Sequence, residues 1–160
     1  MKMKNANNKV TIYGKIMTPP VFEHEIYGEA FYSMNVAIDR TSGFTDTLPV
    51  TISERLLNAY DLACGSMLKA TGQFRSYNKL INGKSRLMLT IFVTDVLDEA
   101  TTLNSTNEII LTGFVCRPPV YRTTPFGREI GDLLLAVNRA YDKSDYLPCI
   151  VWGRNARYIE

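Results

Sequence analysis

The chain is poor in the residues that most often announce chemistry. Of its 160 residues one is histidine, one is tryptophan and three are cysteine. His24 stands beside Glu23 and Glu25 with no second cluster of metal-type ligands, and it is assigned no role. Cys64, Cys116 and Cys149 are widely spaced and form no CxxC pair. That spacing predicts buried free thiols in a reducing cytoplasm. No Gly-rich phosphate loop, zinc-ligand spacing or nucleophile motif occurs, so the chain reads as a non-enzyme with no cofactor and no metal. No apolar run is long enough to span a bilayer. The N-terminal MKMKNANN lacks the apolar segment of a secretory signal and reads as a disordered tail over residues 1–8. Neither sign of charge dominates, with 18 Lys+Arg against 16 Asp+Glu. That balance excludes a histone-like field and leaves nucleic acid and protein partners both open.

What the chain does have is an internal repeat. Residues 8–61 align with residues 107–160 at an offset of 99 without a gap, and 12 of the 54 pairs are identical. Glycines, prolines and core positions coincide together: Gly14/Gly113, Pro19/Pro118, Pro20/Pro119, Gly28/Gly127, Arg40/Arg139 and Asp46/Asp145 are among the identities. Apolar pairs such as Val10/Ile109, Ile12/Leu111 and Ile52/Val151 track as well. The expectation is two copies of one domain, at residues 9–98 and 107–160, joined by a polar linker at 99–106, EATTLNST. The second copy stops at the partner of Asp61 and has nothing matching residues 62–98. Either the chain is a fragment, or another segment or chain completes that copy.

In the first copy, alternating apolar residues predict strands over 10–17, 30–39 and 48–53. Ser53 is placed to cap a helix over 54–63, where Leu56, Leu57, Tyr60 and Ala63 recur at helical spacing. Strands over 66–75 and 86–96 follow, joined through the turn dipeptide Asn82-Gly83. Three strands, a helix and two strands is the order of the OB-fold, a five-stranded Greek-key barrel. The second copy repeats the first part, with strands over 108–116, 131–139 and 146–152 and a helix starting near Arg154. The fold class is therefore all-β with one short helix per domain: two tandem OB-folds, the second incomplete in this chain.

Three motifs in the second copy carry a resemblance. R-P-P-V-Y-R-T-T-P-F-G at 117–127, L-L-L-A-V-N-R at 133–139 and D-Y-L-P-C-I-V-W at 145–152 stand in order. Together they resemble the bacterial single-stranded DNA-binding proteins, whose corresponding patterns are R-x-P-x-x-R-x-T-P-x-G, F-x-L-A-V-N-R and D-F-x-x-C-V-V-W. The first copy resembles that family more loosely, through Gly65-Ser66, Gly72 and the pattern of its first strand. The resemblance implies OB-folds, single-stranded DNA binding without catalysis, and an assembly presenting four OB-folds, which a homodimer of this chain would reach. It also implies a cytoplasmic, nucleoid-associated location, with replication or repair proteins as partners.

The residues read alone agree. Alternate residues of a strand share a face, so Leu147, Cys149 and Val151 can fill a barrel while Tyr146, Pro148, Ile150 and Trp152 point outward. An outward face with Tyr and Trp at its ends is a stacking platform, because every base has a π-face. Tyr141 at the adjoining loop extends it, and Arg117, Arg122, Arg128, Arg139 and Arg154 can meet phosphates around it. In the first copy Trp152, Tyr146 and Tyr141 are replaced by Ser53, Thr47 and Ser42. Residues 8–61 hold four basic and seven acidic side chains, residues 107–160 seven and six. The second copy is thus expected to be the stronger site. The first copy's compensation is the hairpin over 74–86, where Phe74 and Tyr77 mix with Arg75, Lys79, Lys84 and Arg86. The family has an aromatic in this hairpin too, and Tyr77 sits slightly earlier. The rival reading is an OB-fold adaptor or scaffold of a replication or primosome assembly, which the depleted first copy favours. RNA is a third ligand, since stacking does not sense the 2′-OH.

Overall fold

A computed structural model of the chain describes residues 7–160. Of the tail expected over 1–8, residues 1–6 lie outside the described residues. Asn8 corrects that expectation by starting the first strand, β1 (Asn8–Ile16). Its side-chain amide donates to the Phe74 carbonyl at 2.6 Å and its Oδ1 accepts the Phe74 N–H at 2.7 Å. Val10, Ile12 and Ile16 alternate inward from β1 and are fully buried or nearly so.

Beyond β1 come β2 (Val21–Ile26), β3 (Glu29–Asp39), β4 (Thr45–Ser53), α1 (Glu54–Ala59), β5 (Met67–Ile81) and β6 (Lys84–Val96). The pairings β1–β3, β3–β4, β4–β6, β6–β5 and β5–β1 run in a ring, so five strands close a barrel. Closure leaves no free edge within the ring. Met34, Val36 and Ile38 of β3 and Val50 and Ile52 of β4 fill it with the β1 residues. Gly14 is required where β1 crosses β3, because a Cβ there would collide with the Ala37 carbonyl oxygen. Its repeat partner Gly113 meets the Ala136 carbonyl in the same way, so the shared glycine has one physical reason in both copies.

Ser53 caps α1 as expected, accepting the Leu56 N–H at 3.3 Å. The helix ends at Ala59 rather than 63, because Asp61 turns into the left-handed region at φ 52° and Leu62 folds back onto the Leu57 carbonyl. Leu56 and Leu57 still bury their side chains against the barrel. Asn82 and Gly83 both take positive φ and make the β5–β6 turn. The hairpin they close is longer than its apolar pattern suggested, reaching Ile81 and starting again at Lys84.

The second copy folds as β7 (Asn107–Leu111), β8 (Phe114–Val115), β9 (Val120–Thr123), β10 (Glu129–Arg139), β11 (Lys143–Trp152) and α2 (Arg154–Tyr158). The single strand expected over 108–116 is broken at Thr112-Gly113. Its first half pairs antiparallel with β1, its second half with β10. The β1–β7 ladder is centred on Val10 opposite Ile109, two residues that are also repeat partners. A seven-stranded sheet, β2-β3-β4-β6-β5-β1-β7, and a four-stranded one around β10 result. Among the described residues the second sheet has no counterparts of β5 and β6. Its buried apolar set is small, with Ile130, Val137, Leu147 and Ala156, while Phe114, Val115, Val120 and Ile150 stay exposed.

The short strands β2 and β9 went unnoticed in the sequence. Both hairpin onto the following strand and carry largely exposed side chains, so no buried face marks them. The segment at 99–106 is fastened rather than free. Lys69 Nζ donates to the carbonyls of Glu99 (2.8 Å) and Thr101 (2.9 Å), and the Tyr13 N–H donates to the Thr106 carbonyl. The expectation of buried thiols is also corrected. Cys64 and Cys116 are exposed, and only Cys149 is partly covered, where burial pushes its thiol pKa up.

Candidate functional site

The outward face of β11 is built by its pairing with β10, a ladder of ten residue pairs from Ile130↔Trp152 to Arg139↔Lys143. That ladder fixes the parity expected from the sequence. Leu147 is fully buried, while Tyr146, Ile150 and Trp152 are each about half exposed on the other side. Tyr141 stands at the β10–β11 turn, where it and Asp142 both take left-handed φ, and its ring is almost entirely in solvent.

The cations divide into bound and free. Arg139 binds Asp145 through two N–H donors, its Nε meeting Oδ2 at 3.0 Å. Asp145 is almost fully buried and also accepts the Ser76 N–H at 3.0 Å. Arg139 is therefore first a counter-ion, since a buried carboxylate left unpaired is costly. The repeat partners Arg40 and Asp46 form the same pair on the surface at 2.5–2.6 Å. Arg122 is tied to Asp132 at 2.7 Å, and the guanidinium holds that carboxyl below its ordinary range. Arg117, Arg128 and Arg154 are exposed and make no ion pair among the described residues.

On the hairpin, Lys79 and Arg86 face each other across the ladder, both exposed. Tyr77 is 40% exposed, and burial followed by the charge of Glu23 pushes its hydroxyl pKa up. Arg75 is half-buried, its guanidinium 3.9 Å over the Phe92 ring and bonded to Gln73 Oε1. Burial and the neighbouring Arg139 lower its pKa, against the opposing charge of Asp145. The hairpin also grips β11: Tyr146 donates its N–H to Ser76 Oγ at 2.8 Å. The structure thus brings Arg75, Tyr77 and Arg139 together, and sets Tyr146 and Trp152 on the second sheet's outer face with Tyr141 at the turn beyond it.

Arg75, Tyr77 and Arg139 open onto a cleft of about 550 Å³ that the sequence reading missed. Its aromatic wall is Phe31, stacked with His24 (centroids 5.0 Å apart, planes at 15°) and tilted against Phe92 at 5.5 Å. The signal was present as parity. Tyr32, Met34 and Val36 point into the barrel, and Ile91 and Val93 do too, so Phe31 and Phe92 must point out. The first copy's face lost the aromatics of β4 and carries others from β3, β5 and β6.

Residues 106–160 match the Single-strand binding protein family. Single-stranded DNA-binding protein 1 of Staphylococcus aureus is 36% identical over 56 residues, covering 31% of this chain and 34% of that protein. The single-stranded DNA-binding protein of Halalkalibacterium halodurans is 32% identical over 59 residues, covering 33% and 35%. The chain spans about a third of the length of the curated relatives it matches. Among solved structures, a deletion mutant of the single-stranded DNA binding protein from Thermus aquaticus superposes with TM-score 0.69 at 22% identity, covering 95% of this chain and 78% of that one. The N-terminal domain of a PriB protein from Thermoanaerobacter tencongensis is 44% identical, covering 58% of this chain and 99% of that one, with TM-score 0.49. The second copy is thus similar to the single-strand binding protein family, and the chain carries the OB-fold twice in tandem.

Proposed function

We propose that this chain binds single-stranded DNA, largely without reading its sequence, by stacking bases and neutralising phosphates. The observation that carries this reading is the β11 face, where Tyr146, Ile150 and Trp152 stay half exposed while Leu147 between them is buried. Aromatic side chains held open on a rigid ladder accept any base. Tyr141 lies at the end of the same ladder. Arg117, Arg122, Arg128 and Arg154 supply phosphate contacts on the second copy, and Arg75, Lys79 and Arg86 on the hairpin. Arg139 contributes there mainly by fixing β10 against β11 through Asp145. Two chains together would present four OB-folds, and replication or repair proteins would meet the protein on the strands it covers.

The test is Trp152 emission, excited at the red edge, during titration with oligo-dT at low salt and then with added salt. Trp152 is the only tryptophan. Quenching that salt reverses is the expected result, because each neutralised phosphate releases counterion. Trp152→Ala should weaken binding by about 1–3 kcal/mol, more than Thr47→Ala on the matching strand of the first copy. Absence of oligo-dT binding would favour the adaptor reading instead.

A further inference from the structure

One stretch of the repeat carries opposite charge in the two copies. Residues 18–29, TPPVFEHEIYGE, hold Glu23, Glu25 and Glu29 and no lysine or arginine. Residues 117–128, RPPVYRTTPFGR, hold Arg117, Arg122 and Arg128 and no acid. At the offset of 99 two reversals fall on shared positions, Glu23/Arg122 and Glu29/Arg128. The two segments fold alike. Each is a short peripheral strand, β2 or β9, hairpinned onto the strand that follows it, with a glycine at positive φ in the turn: 81° at Gly28 and 78° at Gly127. We infer that these hairpins are the two halves of one contact between chains. The acidic hairpin of one chain docks on the basic hairpin of a second copy of the same chain, and takes up the arginines that a DNA strand would otherwise engage. The contact itself goes beyond the single-stranded DNA reading, whereas its release by a strand rests on that reading.

The charges on both sides are open to a partner. Glu25 and Glu29 are exposed, and their only ion pair among the described residues is the long one between Glu29 and Arg55, at 3.9 Å. Glu23 is more engaged, accepting from Thr51 at 3.2 Å and lying 3.6 Å from His24. On the basic hairpin Arg117 and Arg128 are exposed and make no ion pair among the described residues, while Arg122 is shared with Asp132. Apolar side chains stand beside these charges. Val21, Phe22, Ile26 and Tyr27 are each at least half exposed on the first hairpin, as are Val120 and Phe126 on the second. Covering that surface favours association, and the charges decide which hairpin meets which.

A phosphate backbone suits only one of the two hairpins. It is attracted to the arginines of β9–β10 and repelled by the carboxylates of β2–β3. Two hairpins of the same sign also repel each other. A second copy of the chain brings the missing sign to each hairpin. Carboxylates of one chain then stand in for the phosphates of a strand, so strand and second chain exclude each other at the same arginines. This is a contact of the DNA-free protein, separate from the assembly that would present four OB-folds on a strand.

Sedimentation velocity of the full chain at low salt, over a range of concentrations, tests the contact. The expected result is self-association that added salt weakens and a short oligo-dT reverses. Glu25→Lys with Glu29→Lys makes the first hairpin net basic, and Arg117→Glu with Arg128→Glu makes the second net acidic. All four positions are exposed, so neither change disturbs a core. Each double variant should raise the dissociation constant of self-association about tenfold or more, because like charges then face each other. Mixed in equal amounts, the two variants again offer opposite signs and should associate as the parent chain does. A parent chain that does not self-associate, association that neither variant weakens, or a loss that mixing fails to restore would each overturn the contact. Trp152 quenching by the same oligo-dT, followed in parallel, separates the two readings. Quenching without self-association removes the contact and leaves the DNA reading standing. Restored association in the mixture, with no quenching in the parent chain, supports the contact and removes the DNA reading. Self-association that persists when Trp152 is fully quenched would overturn the exclusion of strand by second chain.

Discussion

Arg–Asp pairing is the clearest case at the residue scale of one sequence feature put to two uses. Arg40/Asp46 and Arg139/Asp145 are identical in the two copies, and both form ion pairs across a hairpin. Asp46 is only partly covered, whereas Asp145 is buried beneath the first copy's hairpin. Arg40 holds the Asp46 carboxyl below its ordinary range, and Arg122 and Arg157 do the same for Asp132 and Glu129. Each such carboxylate stabilises the fold above its unfolded pKa of about 4 and ceases to do so as pH falls through the lower folded value. The thermal midpoint should therefore hold above about pH 5 and fall on further acidification. Arg40→Gln with Arg122→Gln should flatten that fall, read by differential scanning fluorimetry across the acid range. An unchanged acid slope in the double variant would show that these exposed pairs contribute nothing, the usual lot of isolated surface bridges.

At the scale of the element, the β5–β6 hairpin joins the copies and shapes the cleft. Its length was only half legible. Asn82-Gly83 marked the turn, but the apolar alternation fades after Phe74, where Ser76 meets β11 instead of the barrel core. Tertiary contact with a distant segment leaves no local periodicity to read. The same limit hid β2 and β9, which bury little. By contrast β11 was readable because one face is filled and the other open, the condition under which parity is informative. Ser76→Ala removes the acceptor of the Tyr146 N–H and should cost about 1 kcal/mol in urea unfolding. A midpoint equal to that of the parent chain would mean that water replaces the bond and that the grip on β11 lies elsewhere.

For the whole molecule, the repeat disclosed the architecture and concealed the junction. The offset of 99 predicted two OB-folds, and a closed barrel and a second, smaller sheet are present. The exchange at Thr112-Gly113, which hands half a strand to the other copy's sheet, could not be seen, because both halves alternate alike. Two ties then span the copies: the β1–β7 ladder and the Ser76–Asp145–Tyr146 contacts. Heat unfolding followed by far-UV circular dichroism and by Trp152 emission should give one coincident transition. An earlier Trp152 transition would mean that the second sheet melts on its own.

The β1–β7 ladder has a directional consequence. It is antiparallel and centred on Val10 opposite Ile109, so the repeat partners Asn8 and Asn107 face Leu111 and Ile12 in turn. Exchanging the two copies leaves the ladder unchanged, the mark of a local two-fold axis such as an isologous dimer contact has. A two-fold axis reverses direction, and a nucleic-acid strand has one. A single strand entering both copies in the same 5′-to-3′ sense must therefore double back between them, and one that runs straight across must present opposite polarity to the two faces. Identical faces would suit neither path equally well. The divergence of aromatics between the copies, from β11 on one side to β3, β5 and β6 on the other, gives the two halves of such a path different footing.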